Sequence, residues 1–490
     1  MSSQKPAQTP PTTPSLRGAQ GVSAVVLVVI LLLVVLLLWP NVGDSERTPG
    51  AESETHTPAP AESPTQQAKL SESTIARLDD ALAGSTAQSA AAVVIDPESG
   101  QQLYAASPDD LLLPASNQKI VTELSVLHFL GADRRLATTV VDGQDDDTVV
   151  LVAGGDTLLA PGQGDPHAVQ GRAGIADLAH QAAQTMDLSE GSSTVTVQVD
   201  TSLFTGSGLN DSWLPGDIAG GEVGPVSPMA FGSHAVLSDN NQPTGSYDSD
   251  AASSVADVFA STLSQKLTER TGRSIAVEVG ESVDTPADPL VPADQQDSVT
   301  ELARVESATI QEQSTIMMRE SDNRLAESLC RVAAVSAGQP GDSEGARSAI
   351  TQAMKEVLGQ DLVPQDGAVL SDCAGVSPDN RMTAALLGEV LAAAARESDG
   401  AHRVMGDTFP TPGEGTLSDR FHAPEATAGR ERVRAKTGTL HGVTALSGEV
   451  ITEDDDRFIA VVILNDTADR QAARDSSDRF FAALAQSKAA

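Results

Sequence analysis

The sequence predicts an α+β protein: an antiparallel sheet covered by helices, with a β-rich insertion in its middle and one membrane-spanning helix in front. Three observations carry that prediction. Residues 91–105, AAVVIDPESGQQLYA, read as strand, turn and strand and lead into an apolar helix. Residues 136–295 take on a β-branched, alternating texture, as at Val195, Val197 and Val199, before helical periodicity returns. Residues 22–39 are apolar apart from Ser23, a run long enough to cross a bilayer as a helix.

Lys5 and Arg17 precede that run with no acidic residue among them, whereas Asp44 and Glu46 follow it. The positive-inside rule then makes residues 1–21 a cytoplasmic tail and puts everything after 39 outside. WPNVGDS offers no convincing small-x-small cleavage site and no lipid-accepting cysteine, which favours reading 22–39 as an uncleaved signal anchor in the cytoplasmic membrane; cleavage there would instead give a secreted protein. Residues 40–69, rich in Thr, Pro, Glu, Ala and Ser without apolar periodicity, read as an extended linker. The net charge of -37 excludes nucleic acid as a partner, because no basic stretch is present to neutralise phosphates. Cys330 and Cys373 can pair in an exported chain, closing a 43-residue loop, or stay as two buried thiols.

Beyond the linker, Ile75, Leu78 and Leu82 mark a first amphipathic helix. Residues 111–133 follow the first hairpin as a buried helix, with Ile120, Val121, Leu124, Leu127 and Leu130 at helical spacing and Gly131 as its C-terminal cap. Ser116 sits in its first turn, and Lys119, three residues on, shares its face. A serine hydroxyl is a poor nucleophile until a base takes its proton, and a lysine is a base only where burial favours its neutral form. The bland alternative is a capping serine and a surface lysine; Ser2 and Lys5 make the same pattern by chance in the tail. Residues 136–295 form the insertion: strands at 146–159 and 193–204, a loop at 200–228 around Trp213, a helix at 255–270, a strand at 274–279 and a return linker at 284–293. The flanking pieces, 70–135 and 296–490, make one catalytic domain. Its second piece reads as helical over 298–338 with a break at 320–323, and helical again at 345–358 and 383–396. One strand is expected over 436–451, then an acidic turn, a strand at 458–465 and a helix carrying Phe480, Phe481 and Leu484. The first and last hairpins can share a sheet.

Two further motifs lie in that second piece. S-D-N occurs at Ser238 to Asn240, in a polar turn, and at Ser321 to Asn323, where an amphipathic helix follows. K-T-G occurs once, at Lys436, Thr437 and Gly438, where glycine allows close approach of a substrate backbone to a strand edge. The order S-x-x-K, S-x-N, K-T-G is similar to that of the penicillin-binding proteins and serine β-lactamases. Positions 116 and 321 are 205 apart, too far for a class A β-lactamase. Over about residues 70–486 the chain most resembles the low-molecular-mass class C penicillin-binding proteins, the D-alanyl-D-alanine carboxypeptidase/endopeptidase family. LVAGGDTLL, VDTSLFTGSGLNDSW and GEGTLSDRF resemble family segments, and SDCAGVSPDNRMT resembles its D-G-S-G-L-S loop, departing at Cys373 and Ala374.

The resemblance implies the transpeptidase fold of this superfamily and a set of roles. Ser116 would attack the carbonyl between two D-alanines of a peptidoglycan stem peptide, with Lys119 as base. Ser321 would relay a proton to the leaving amine, Lys436 would tune the site, and Asn323 would hold the substrate amide and Lys119. Thr437 would bind the terminal carboxylate, Gly438 would let the substrate close on the strand, and the N–H groups of Ser116 and Thr439 would form the oxyanion hole. Cys373 would pair with Cys330. β-Lactam antibiotics should acylate Ser116. No metal or other cofactor is implied, since the eight histidines are scattered without paired spacing. The rivals are a β-lactamase or esterase of the same superfamily, and a non-catalytic wall protein with this fold. Carboxypeptidase and endopeptidase action are not separated by the sequence.

Overall fold

The computed structural model describes residues 69–487 apart from 239, 241–242, 286–287, 289, 291–298, 360–366 and 398–399. The expected tail, the anchor and the linker up to residue 68 lie outside the described residues, among which no helix is long and apolar enough to cross a membrane.

The first two strands and the last three build one antiparallel sheet. After helix α1 (Glu72–Ala83), β1 (Ser89–Ile95) and β2 (Gln102–Ala106) form the expected hairpin around the turn at 97–100. Helix α2 (Gln118–Leu130) follows a 3-10 turn at Ala115–Asn117. The last three strands, β10 (Val433–Leu440), β11 (Val443–Ile451) and β12 (Arg457–Asn465), complete the sheet in the order β10-β11-β12-β1-β2. β1 pairs along its whole length with β12, Ser89 opposite Asn465 and Ile95 opposite Ile459, so the two ends of the domain do share a sheet. Side chains alternate across a strand, and here both faces are buried. Val93, Ile95, Ile459, Val461 and Ile463 enter the core around α2. Ala92, Val94, Ala460, Val462 and Leu464 face the opposite way, against α1 and the C-terminal helix Arg470–Ala485 with Phe480 and Phe481.

Two expectations need correction. Residues 436–451 are two strands, not one, because the chain reverses at His441 and Gly442, the glycine at φ +71°. Residues Glu301–Thr309, expected to be helical, form strand β9. It lies beside β3 (Arg135–Asp142) in a second sheet that also holds β4 (Thr148–Val152), β5 (Thr194–Asp200) and β8 (Ala276–Ser282), in the order β8-β5-β4-β3-β9; between β5 and β8 the short strands β6 (Ala235–Leu237) and β7 (Pro243–Tyr247) pair with each other. The sheet of the insertion thus runs on to 309, past the expected boundary at 295. Helix formation begins only at α5, Ile310–Arg319, where Thr309 and Glu312 make a reciprocal capping box. The insertion also holds parallel pairs, β4 with β5 and β5 with β8, which require crossovers. Helices α3 (Ile175–Thr185) and α4 (Ala251–Thr271) pack together on the sheet and share its separate core with Val195, Val197 and Phe259.

Helices α6 (Asn323–Ser336), α7 (Ser343–Leu358) and α8 (Ala384–Arg396) pack around α2, which is buried over nearly its full circumference. Cys330 of α6 is bonded to Cys373, with Cα atoms 6.5 Å apart. Closing 43 residues of chain should stabilise the fold by roughly 3–4 kcal/mol through the unfolded state. The double variant Cys330→Ala, Cys373→Ala should therefore unfold at lower urea, by a free energy of that order. A midpoint equal to that of the oxidised parent would rule the stabilising role out.

Candidate active site

The 3-10 turn places Ser116 at the mouth of α2. Ala115 just before it holds φ +48°, a left-handed conformation that costs a non-glycine residue roughly 1 kcal/mol or more. Ser116 does not act as a helix cap: its Oγ accepts from Lys119 Nζ at 3.1 Å. Lys119 is fully buried, and its amine donates also to Asn323 Oδ1 at 2.7 Å and to the Ala374 carbonyl at 2.7 Å. Burial pulls its pKa down to about 8, against the opposing pull of Asp372, Asp322, Glu327 and Glu222. An amine so placed can take a hydroxyl proton near neutrality.

Ser321 lies in the middle of the break between α5 and α6 with φ +59°, and Asp322, not Ser321, caps α6 by accepting from the N–H groups of Arg324 and Leu325 at 3.0 Å. The Ser321 hydroxyl is therefore free of capping duty. It accepts from Lys436 Nζ at 2.9 Å, and that amine also donates to the Thr437 carbonyl at 2.9 Å. Lys436 is fully buried, and desolvation together with the neighbouring Lys119 charge holds its pKa well below the usual lysine range, with Glu123 opposing. Asn323 donates from Nδ2 to the Glu222 carbonyl at 3.0 Å, tying the insertion's loop to the site. The first S-D-N copy follows the short strand Ala235–Leu237, and its Asp239 lies outside the described residues.

β10 is the edge strand of its sheet, so one side of its ladder has no partner strand among the described residues. Thr437 is buried and Thr439 exposed on it. Gly438 has a reason the sequence did not give: a Cβ there would come 2.7 Å from the Pro114 carbonyl and 3.2 Å from the Ala115 Cβ. The missing side chain lets the strand close on the turn that carries Ser116.

Several supporting groups had no role assigned from the sequence, although Asp372 and Trp213 lie in segments that resemble the family's. The Asp372 carboxylate accepts from the N–H groups of Gly375, Val376 and Ser377 at 2.7–2.9 Å, from Asn380 Nδ2 at 2.8 Å and from Trp213 Nε1 at 3.0 Å. Glu327, one turn along α6 from Asn323, accepts from the N–H groups of Cys373 and Ala374 at 2.7 and 2.9 Å, and burial lifts its carboxyl to about 7. These bonds aim the Ala374 carbonyl at Lys119. The departure from the family loop at Cys373 and Ala374 thus leaves its contact with the lysine intact, because that contact is made by backbone. The i, i+4 spacing from Asn323 to Glu327 was a signal, though one shared by countless surface helices.

The geometry can be set beside known proteins. A model of the D-Ala-D-Ala carboxypeptidase 3 (S13) family matches residues 74–276 and 251–485. Carboxypeptidase DacB of Mycolicibacterium smegmatis is 34% identical over 382 residues, 76% of this chain and 76% of that one. A D-alanyl-D-alanine carboxypeptidase of Actinomadura sp. is 29% identical over 432 residues, 73% of this chain and 74% of that one. The crystal structure of penicillin binding protein 4 of Haemophilus influenzae shares the fold, with TM-score 0.63 and 18% identity over 84% of this chain and 99% of that one. That protein has also been crystallised with a β-lactam. With its family model covering most of the chain, the protein belongs to the D-Ala-D-Ala carboxypeptidase 3 (S13) family and is a serine-type D-Ala-D-Ala carboxypeptidase.

Proposed function

We propose that Ser116 is the nucleophile of this carboxypeptidase and that its substrates are peptidoglycan stem peptides ending in two D-alanines. The observation that carries the assignment is the Ser116 hydroxyl 3.1 Å from a fully buried lysine amine. Lys119, neutral, takes the hydroxyl proton as Oγ adds to the penultimate D-alanine carbonyl. The resulting oxyanion lies between the N–H groups of Ser116 and Thr439. The tetrahedral adduct collapses to an acyl-enzyme as the C–N bond breaks, and the departing amine of the terminal D-alanine receives a proton through Ser321. Lys436 keeps Ser321 oriented at 2.9 Å and supplies positive charge beside Thr437, where the terminal carboxylate binds. Asn323 holds the Lys119 amine and the substrate amide. The free edge of β10 pairs with the extended peptide, and Gly438 keeps that strand close to the nucleophile. Water then releases the trimmed peptide.

A β-lactam presents the same reactive carbonyl in a ring whose leaving amine stays attached, so it acylates Ser116 and remains. The relative crystallised with a β-lactam supports this reading. The apolar run 22–39, with Lys5 and Arg17 before it, supports anchoring of the enzyme in the cytoplasmic membrane with its catalytic domain outside.

Incubation with a penicillin should add the drug's mass to the wild-type protein and not to Ser116→Ala, which should also release no D-alanine from a stem pentapeptide. An adduct on the variant would move the nucleophile elsewhere, and rapid drug consumption without an adduct would make the enzyme a β-lactamase. The pH dependence of acylation follows from Lys119. Below its value of about 8 the amine is protonated and cannot act as base. The second-order acylation rate should therefore climb about tenfold per pH unit and level off above that value. A rate flat from pH 6 to 9 would contradict Lys119 as the base.

A further inference from the structure

Asn323 must keep its side-chain amide turned one way, and the structure shows what turns it. An amide has an acceptor oxygen at one end and a nitrogen with two N–H groups at the other, and the ends are nearly equal in shape, so its partners decide which way it faces. Oδ1 accepts from the Lys119 amine at 2.7 Å. A protonated lysine enforces that orientation, because an ammonium group only donates. The base, however, is the neutral amine, which carries a lone pair. After a half-turn of the amide, Nδ2 would donate to that lone pair and engage it just when the Ser116 proton has to be taken. The other end of the amide opposes the half-turn: Nδ2 donates to the Glu222 carbonyl at 3.0 Å, and a turned amide would set two oxygens face to face there. The second N–H of Nδ2 stays available for the substrate amide.

Glu222 is exposed and belongs to a segment, 220–228, that forms neither helix nor strand. The side chain that fixes this segment is Tyr247, at the end of β7 and opposite Ala235 of β6. Its hydroxyl donates to the Pro225 carbonyl. Its ring lies so close to Gly224 that a Cβ there would come 2.6 Å from the ring carbons. The ring is stacked on His234, with centroids 5.9 Å apart and planes 6° from parallel, and the Arg324 guanidinium lies over it at 5.4 Å. His234 is fully buried and binds the same segment, its Nε2 accepting from the Ser227 N–H at 2.9 Å. Burial pulls the His234 pKa down to about 4, which leaves that nitrogen free to accept. Arg324 adjoins Asn323 in the chain. Tyr247 therefore touches both sides of the Asn323–Glu222 bond: the segment that supplies the carbonyl and the helix start that supplies the amide.

We propose that Tyr247 is a positioning residue for acylation: it clamps the segment 222–227 against the start of α6, so that the Glu222 carbonyl holds Asn323 with Oδ1 toward Lys119 and leaves the lysine lone pair to Ser116. This rests on the assignment of Ser116 as nucleophile and Lys119 as its base. The lock matters only once Lys119 has lost its proton, because the ammonium form holds the amide by itself. Loss of the clamp therefore acts at high pH and not at low pH. The charges facing Lys119 are Asp372, Asp322, Glu327, Glu222 and, from β10, Lys436, and of these Glu222 alone rides on the clamped segment. Those facing Tyr247 are Arg324, Arg331, Asp248 and Asp322.

The test measures the rate of acylation by a fluorescent penicillin from about pH 6 to 10 for the wild type, Tyr247→Leu and Tyr247→Phe, with thermal unfolding as the check on folding. At low pH Tyr247→Leu should match the wild type. Toward the plateau it should fall behind by about fivefold, the equivalent of one net hydrogen bond, and its profile should level off about 0.7 pH unit lower. Tyr247→Phe keeps the ring and loses the bond to Pro225, so it should lie between. A deficit of the same factor at every pH is what a damaged fold gives and overturns the proposal, as does coincidence with the wild type throughout. A rate above the wild type at low pH with an equal plateau also overturns it, since that marks loss of the Glu222 charge and not of the amide lock. Should Tyr247→Leu fail to fold, Tyr247→Phe decides alone by the same outcomes. Failure of the wild type itself to be acylated at Ser116, or a flat wild-type profile, would instead remove the assignment on which the proposal rests.

Discussion

The bond from the Lys119 amine to the Ala374 carbonyl is the constraint on which the site depends. A lysine taken wholly out of water needs a fixed acceptor for its N–H groups, and a side-chain acceptor alone would leave it mobile. The carbonyl comes from the loop at 371–377, which has no regular structure and must be shaped by other means. Asp372 gathers the loop's N–H groups, Glu327 holds two more from α6, and the Cys330–Cys373 bond ties loop and helix covalently. Trp213 reaches the same carboxylate from the insertion. The position of one amine therefore depends on two helices, a loop, a covalent bond and a distant segment of chain.

The insertion accordingly takes part in the candidate site. Its loop lays the Glu222 carbonyl against Asn323, and Asn210 donates to the Ser371 carbonyl at 2.7 Å. Its sheet reaches back through β9 to the start of α5, so the strand that closes the insertion runs directly into the helix that ends at the Ser321 break. A shift of the insertion would be felt at Asn323, and through Asn323 at the Lys119 amine beside Ser116.

Much of this was legible in the chain. Ser116, Lys119, Ser321, Asn323 and Lys436 were singled out by the joint order of their three short motifs, which resembles that of the penicillin-binding proteins; each motif alone fitted a capping serine or an ordinary lysine as well. The first hairpin was legible from Pro97 and Gly100, and the last helix from its paired phenylalanines. Glu301–Thr309 misled because Glu, Leu, Ala and Arg favour helices, whereas pairing with Arg135–Asp142 decides the conformation, and that partner is remote in sequence. The reversal at His441 and Gly442 was hidden because a single glycine within a β-branched run also marks a bulge. Glu123 and Glu327 were invisible for a different reason. A glutamate on an amphipathic helix ordinarily marks its wet face, but α2 and α6 are enclosed by other helices, and enclosure is a property of the assembled fold.

The pairing of β1 with β12 has a bearing on how the molecule comes to exist. Its two strands lie at opposite ends of the catalytic chain, so the contact closes a loop that contains nearly every other element. Such long-range contacts are slow to form, because the entropy of closure is lost before any pairing energy is gained. During synthesis the helix of Ser116 emerges early, while the strand carrying Lys436 and the strand that completes the sheet emerge near the end. The insertion, with its own core, can fold in the interval. The helix of Ser116 is thus made long before Lys436 can join its site, and a chain that stops short of β12 lacks the neighbour β1 needs.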